Sequence, residues 1–113
     1  MKAPRAPAHL ATDTARWWRQ THKVYDLEEW QTRLLTLAGE AWDRTQQARE
    51  LLARDGLCVE GREGGLRPHP AVAIERDSRL AFAKLIRDLN LETGEPARPV
   101  GRPNLIDSWK DRR

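Results

Sequence analysis

The longest helical pattern in the sequence is DLEEWQTRLLTLAGEAWDRTQQARELLARDGL, residues 26–57. Asp26 and Glu29 have the spacing of a capping box, in which two side chains satisfy the first free N–H groups of a helix. Gly56 predicts where this helix ends, because glycine readily takes the left-handed conformation that often follows a last helical turn. Residues 27–54 are therefore predicted to form one helix, about 42 Å long at 1.5 Å per residue.

The long helix carries an apolar stripe with a seven-residue spacing, although large apolar residues are scarce in the chain as a whole. Leu, Val, Ile and Phe make up only 22 of the 113 residues. A compact chain of this size has a radius of gyration of about 13 Å. A 42 Å rod protrudes from such a globule, so we predict that the chain self-associates into a homo-oligomer. The predicted interface comprises Leu27, Trp30, Leu34, Leu37 and Ala41.

A second long helical stretch is RPHPAVAIERDSRLAFAKLIRDLNL, residues 67–91. Pro70 suits the first helical position, where its missing N–H costs nothing. Asn90 can stop the helix in the left-handed conformation. His69 is interpreted as a helix-entry residue, with a metal-ligand or catalytic role as the lesser alternative. The glycine-containing connector before it predicts either a short hairpin or a loop.

A short helix is predicted near the N-terminus, over Asp13–Lys23, with Thr12 as its N-cap. The predicted fold is therefore all-α: a short N-terminal helix, and a long central helix that forms an elongated helical hairpin with the third. Three segments follow from this assignment. Residues 1–11 are a flexible basic arm, residues 12–91 a helical oligomerisation domain, and residues 92–113 a basic tail containing Pro and Gly.

Positive charge is concentrated at the two ends of the chain. The net charge is +4 over residues 1–25, −3 over residues 26–92 and +2 over residues 93–113. Basic ends suit contact with a polyanion such as nucleic acid, although ordinary solvated ends remain an equal alternative. The candidate DNA-binding residues are Arg16, Arg19 and Lys23 on one stripe of the first helix, and Arg98, Arg102, Lys110, Arg112 and Arg113 in the tail.

Catalytic and cofactor-binding motifs were not found. The glycines of EGREGG lack the Lys-Ser/Thr step of a phosphate-binding loop, and the three histidines have no ligand spacing. Cys58, next to Leu57 and Val59, is expected to be a small buried residue. An enzyme that uses Cys58 and His69 is the weakest alternative. We predict no enzymatic activity, no cofactor and no metal site.

The location of the protein follows from similar considerations. A single cysteine fits a reducing compartment. No apolar run approaches the ~20 residues that span a bilayer, and the N-terminus lacks the apolar core of a signal peptide. The chain is therefore expected to be soluble, to have no membrane partner and to stay inside the cell.

Two blocks in a fixed order resemble a known family. AWDRTQQARELLARDGL (41–57), the glycine-containing connector and HPAVAIERDSRLAFAKLIRDLNL (69–91) resemble the small subunit of phage terminases. The chain is most similar to the short all-helical group found in tailed phages and prophages. The tail segment ARPVGRPN (97–104) is also similar to tails in that group, so the resemblance covers roughly residues 10–104.

The resemblance implies a role in viral DNA packaging. Small terminase subunits are non-catalytic, assemble as rings of identical subunits and recognise the packaging start site on double-stranded viral DNA. They also recruit and regulate the large terminase subunit, which carries the ATPase and nuclease. A helix-turn-helix, present in many of them, is not found here, so DNA contact is expected through the first helix, the tail or both. The alternative is a small helical adaptor or regulator that binds protein and has no DNA role.

Overall fold

The computed structural model of the chain describes residues 4–91. Three helices and one hairpin follow each other along this part of the chain: α1 (Thr12–Val24), α2 (Glu29–Asp55), β1 (Cys58–Glu60), β2 (Leu66–Pro68) and α3 (Pro70–Leu89). α2 and α3 pack against each other along their lengths, and α1 packs mainly on α2. The predicted all-α fold built on an elongated helical hairpin is confirmed.

α2 begins two residues later than predicted. Glu28, not Asp26, is its N-cap, and Gln31 takes the third position of the capping box by accepting the Glu28 N–H at 2.8 Å. The chain before the cap is extended at Tyr25 and at Glu28. The Tyr25 hydroxyl donates to the Leu91 carbonyl at 2.6 Å and ties the α1–α2 connection to the end of α3. The helix ends before Gly56, as predicted, and the Gly56 N–H donates to Leu52 O at 2.8 Å. Gly56 has φ +84° and ψ 170°, so its φ is positive but its backbone is not left-handed helical as predicted.

The connector after α2 is a hairpin, which decides between the two predicted alternatives. β1 and β2 are antiparallel, with Val59 opposite Arg67. The turn is closed by the Gly61 N–H, which donates to the Gly65 carbonyl at 2.7 Å. Gly64 has φ +83°, a conformation that residues with a side chain rarely adopt. The hairpin therefore reverses the chain and sends α3 back along α2.

His69 begins α3 and also joins it to α2. Its Nδ1 accepts the Ala71 N–H at 2.9 Å, and Pro70 occupies the first helical position. Its Nε2 lies 2.9 Å from Oδ2 of Asp55, the last residue of α2. Asn90 ends the helix in the left-handed conformation, with φ 51° and ψ 51°. The interpretation of His69 as a helix-entry residue is confirmed, and the tertiary structure adds the contact with Asp55.

The core is small and lies where α1 crosses the hairpin of α2 and α3. Its centre consists of Leu10, Trp18, Leu35 and Leu89. Elsewhere the buried positions of the hairpin are mostly small, such as Ala38, Ala48 and Ala71. Small buried side chains let helices approach closely, but each of them buries little apolar area. Burial of apolar area stabilises a fold by roughly 25 cal/mol per Å², so these positions contribute little to stability. The large buried side chains are those of the central cluster, which lies where α1 packs on α2 and α3.

The segment before α1 packs against the helices, although it was predicted to belong to a flexible arm. Leu10 is buried in the core, Ala6 packs against it, and the Leu10 N–H donates to Pro7 O at 3.3 Å. The cap of α1 also differs from the prediction. Ala11, not Thr12, is the N-cap residue, and its backbone N–H is satisfied by the carboxylate of Asp43 in α2. We propose that the helical domain includes the residues from Ala6 onward.

Candidate nucleic-acid interface

The outer face of α1 carries the three cations that the helical projection placed on one stripe. Arg16, Arg19 and Lys23 are all exposed. From Arg16 to Lys23 the helix rises about 10 Å, a distance over which one DNA strand presents about three phosphates at 3.4 Å each. The stripe is thus long enough to contact several neighbouring phosphates.

Two sets of hydrogen bonds fix the rotation of α1 and so turn the stripe outward. On the inner face, the buried Trp18 donates from Nε1 to the Thr36 hydroxyl at 3.1 Å. At the N-terminus, the Thr14 hydroxyl donates to Asp43 Oδ1 at 2.5 Å. Because both bonds attach α1 to α2, the cations on the opposite face are held in place by a rigid helix. A pre-arranged set of charges loses less conformational entropy on binding than a set on a flexible segment.

The positive charge of α1 comes from its arginines and its lysine. Arg16 lies 3.5 Å from Asp13, an exposed pair that screens it only weakly. Within residues 4–91, Arg19 and Lys23 form no ion pair. His22 packs on Trp18, with ring centroids 4.2 Å apart, and burial lowers the pKa of this imidazole. It therefore adds little positive charge at neutral pH.

The second predicted set of cations belongs to the tail and lies outside the described residues. It comprises Arg98, Arg102, Lys110, Arg112 and Arg113. The structure therefore brings together only the α1 part of the predicted DNA-binding residues, and the tail cations remain a prediction.

The predicted oligomer stripe of α2 is divided by the packing of the chain. Leu27 and Leu34 are partly buried against the chain's own core, and Ala41 is half-buried. Trp30 and Leu37 point outward, with 43% and 50% of their surface exposed. The outward-facing part of this stripe is the part available for contact with another molecule.

An apolar cavity was not anticipated from the sequence. It has a volume of about 280 Å³ and is lined by Asp13, Thr14, Trp17, Trp42 and Phe82. The Phe82 ring lies 5.1 Å from that of Trp42 and 6.3 Å from that of Trp17. Periodicity along one helix cannot reveal this group, because α1, α2 and α3 contribute one aromatic ring each.

The structure defines the surroundings of Cys58 and His69. Cys58 is exposed, so the expectation that it is buried was wrong: it lies in a two-stranded hairpin that no second layer within residues 4–91 covers. Both ring nitrogens of His69 are already engaged, with Ala71 and with Asp55. Hydrogen bonds from Arg54 and His69 lower the pKa of Asp55, so this carboxylate stays charged and holds the imidazole.

Two features are absent from the described residues. No group of three or more His, Cys, Asp and Glu side chains in residues 4–91 is placed to hold a metal ion. None of the helices in the same range is both long enough and apolar enough to cross a membrane.

Comparison with known proteins places the chain in a family. Neither the curated proteins nor the solved structures include a match to it. The family model described as "phage terminase, small subunit" matches residues 15–98, which is 84 of the 113 residues. The matched range includes most of α1, all of α2, the hairpin and α3, so it covers the elements that build the core and carry the basic stripe. The chain belongs to the phage terminase small subunit family, and its role lies in phage DNA packaging.

Proposed function

We propose that this chain is a non-catalytic subunit that binds double-stranded viral DNA at the packaging start site through the outer face of α1. It also recruits and regulates the large terminase subunit, in the cytoplasm of the bacterial host. The observation that carries the DNA-binding part is the exposed stripe of Arg16, Arg19 and Lys23 on a helix whose rotation is fixed. Membership of a generally non-catalytic family supports the absence of enzymatic activity.

The same stripe indicates how DNA is bound. The two helices at the N-terminus are 13 and 27 residues long, unlike the two short helices that place a recognition helix in the major groove. Contacts from Arg and Lys to phosphates position a protein on DNA, whereas contacts to base edges supply sequence selectivity. We therefore expect binding that depends strongly on salt and only modestly on sequence.

Assembly strengthens this proposal. The exposed side chains of Trp30 and Leu37, together with Ala41, are the proposed contact between identical subunits, with Leu27 and Leu34 supporting it from the core side. A ring repeats the α1 stripe once per subunit, so weak individual contacts add up through avidity.

The test is the salt dependence of DNA affinity. Each phosphate neutralised by a cation contributes about −0.9 to the slope of log affinity against log salt on duplex DNA. The variant with Arg16, Arg19 and Lys23 all replaced by Ala should bind viral-end DNA more weakly and with a flatter slope. Fluorescence anisotropy at several salt concentrations measures both quantities.

A variant of equal charge serves as the control. Replacing Arg76, Lys84 and Arg87 by Ala removes an equal number of positive charges from α3, where all three residues are exposed. It should retain the wild-type slope. Truncation after Pro96 separately tests the tail cations. If the α1 variant and the truncated chain both keep the wild-type slope, the basic ends do not contact DNA, and the protein-binding adaptor becomes the better proposal.

A further inference from the structure

The cavity between the three helices lacks an occupant among residues 4–91. Trp42 leaves 43% of its surface exposed, and its ring, with those of Trp17 and Phe82, forms most of the lining. The rings of Trp17 and Trp42 are tilted by 50° and 57° relative to the Phe82 ring, so neither tryptophan lies parallel to it. Tilted rings present both faces and edges, an arrangement that suits another aromatic side chain packed edge-to-face.

The chain itself supplies a matching segment. The sequence LIDSWKDRR, residues 105–113, contains Trp109, the one tryptophan beyond the described residues. Leu105 and Ile106 precede it in an otherwise polar stretch, and Lys110 follows it. Asp13, at the rim of the cavity, is a carboxylate with a 91% exposed side chain, so it complements a cation next to a docked Trp109.

The point from which this segment departs is fixed close to the cavity. Leu91 packs against the core, and its carbonyl accepts the Tyr25 hydroxyl at 2.6 Å. Along α1, Trp17 precedes Tyr25 by eight residues, and along α3, Phe82 precedes Asn90 by eight residues. Each interval corresponds to about 12 Å at 1.5 Å per residue.

The length of the connecting chain is sufficient for this distance. Leu105 lies 14 residues beyond Leu91. A chain of that length has a root-mean-square span of about 20 Å when flexible and reaches about 46 Å when extended. The flexible span of about 20 Å is somewhat longer than the interval of about 12 Å between Leu91 and the cavity. The segment therefore has a high effective concentration at the cavity of its own chain.

We propose that Trp109 docks in the cavity formed by Trp17, Trp42 and Phe82 of the same chain, with Lys110 next to Asp13. Docking buries the exposed rings and fastens the C-terminal segment to the helical domain. It also sets the tail cations beside the stripe of α1, so that the two basic segments form one surface. That last consequence rests on the proposed DNA role, whereas the docking does not.

Fluorine NMR of the full chain labelled with 5-fluorotryptophan tests the docking without DNA. The chain contains five tryptophans, and replacing each in turn assigns its resonance. The Trp109 resonance should differ from that of the urea-unfolded chain and should resist broadening by a soluble paramagnetic chelate. Trp109→Ala should in turn shift the resonances of Trp17 and Trp42, and this variant lies outside the helical domain, so it leaves the core residues unchanged.

Two tryptophans of α2 provide a matched pair of variants. Trp42 lines the cavity and Trp30 does not, yet both are 43% exposed. Trp42→Ala should move the Trp109 resonance to its unfolded position, whereas Trp30→Ala should leave it unchanged. A Trp109 resonance at the unfolded position in the wild-type chain, or one indifferent to Trp42→Ala, would overturn the proposal. Loss of protection on dilution, in parallel with a loss of oligomer mass, would assign the docking to a neighbouring copy and overturn the same-chain assignment.

Discussion

The carboxylate of Asp43, in the middle of α2, accepts the backbone N–H of Ala11 at 2.8 Å, immediately before the first turn of α1. Its other oxygen accepts the hydroxyl of the buried Thr14 at 2.5 Å. A residue 32 positions away thus performs the task that a Glu or Gln at the third helical position performs in a capping box, where it accepts the N–H of the N-cap residue. The same carboxylate lies near the positive end of the α1 dipole, which favours a negative charge there.

Replacing Asp43 should therefore weaken the attachment of α1. In Asp43→Ala the Thr14 hydroxyl is left buried without its acceptor, which typically costs about 1–3 kcal/mol of unfolding free energy. Asp43→Asn keeps one acceptor oxygen, so its free energy of unfolding should lie between those of Asp43→Ala and the wild type. Urea unfolding followed by circular dichroism measures the loss. The control is Asp13→Ala, which removes an exposed acid of α1 and should change the free energy of unfolding by less than about 0.5 kcal/mol. An equal loss of stability in Asp43→Ala and Asp13→Ala would argue against the cap.

Gly39 marks the closest approach of α2 to the segment that leads into α1. A Cβ at this position would lie 3.0 Å from Cγ2 of Thr14 and 3.3 Å from Cδ2 of Leu10. Thr14 cannot easily move, since its hydroxyl is bound to Asp43. Crowding of a packed site costs about 1–3 kcal/mol, more than the ~1 kcal/mol that alanine gains over glycine in a helix. Gly39→Ala should therefore lower the midpoint of urea unfolding.

A second substitution separates crowding from other effects of Gly39→Ala. Leu10→Ala removes one of the two side chains that the new Cβ would meet. In that background Gly39→Ala should be less destabilising, or stabilising, and the double-mutant cycle gives the coupling. Additive effects of the two substitutions would show that Gly39 is not required by the contact with Leu10.

His22 should make stability depend on pH. Burial beside Trp18 lowers the pKa of this imidazole below its ordinary value of 6.5. At a pH between the folded and unfolded pKa values of His22, the unfolded chain binds more protons at this residue than the folded chain does. The contribution of His22 to the free energy of unfolding therefore falls as the pH decreases below about 6.5, and it is constant above that pH. The difference in melting temperature between the wild type and His22→Gln should therefore shrink from pH 7.5 to pH 5.5. A difference that stays constant over this range would contradict the assignment.

Leu37 offers a direct test of assembly, because it is half exposed and lies on the outward part of the α2 stripe. Leu37→Glu should reduce the oligomer mass measured by light scattering while the helix content is retained. It should also lower a melting temperature that depends on protein concentration, since association and folding are linked. Leu80→Glu, on α3 with 55% exposure, is the matched control. If both variants have the wild-type mass, the contact between subunits lies elsewhere.

Leu34 shows why the sequence could not define the proposed interface in detail. It shares the seven-residue spacing with Leu27 and lies three positions from Leu37, so periodicity groups all three residues. In the structure Leu27 and Leu34 are partly covered by the chain's own core, and Leu37 is not. A repeat along one helix indicates that a face is apolar, but it carries no information about which neighbour covers that face.

Features that depend only on neighbouring residues could be predicted from the amino-acid sequence. The end of α2 at Gly56, the entry of α3 at His69 and Pro70, and its stop at Asn90 all follow from local backbone preferences and caps. The exposed stripe of α1 follows from the helical period in the same way. Each of these signals acts over a few residues, so it can be read without knowledge of the fold.

Features that join distant residues became apparent from the packing of the three helices and could not be predicted from the sequence. The cap that Asp43 provides to Ala11, the contact of His69 with Asp55, and the cavity formed by one ring from each helix have no local signal. The start of α2 at Glu29 belongs with them, because the preceding residues are extended where Tyr25 bonds to Leu91. These features depend on how the three helices pack, and packing is set by the shape and hydrogen bonding of side chains far apart in the chain.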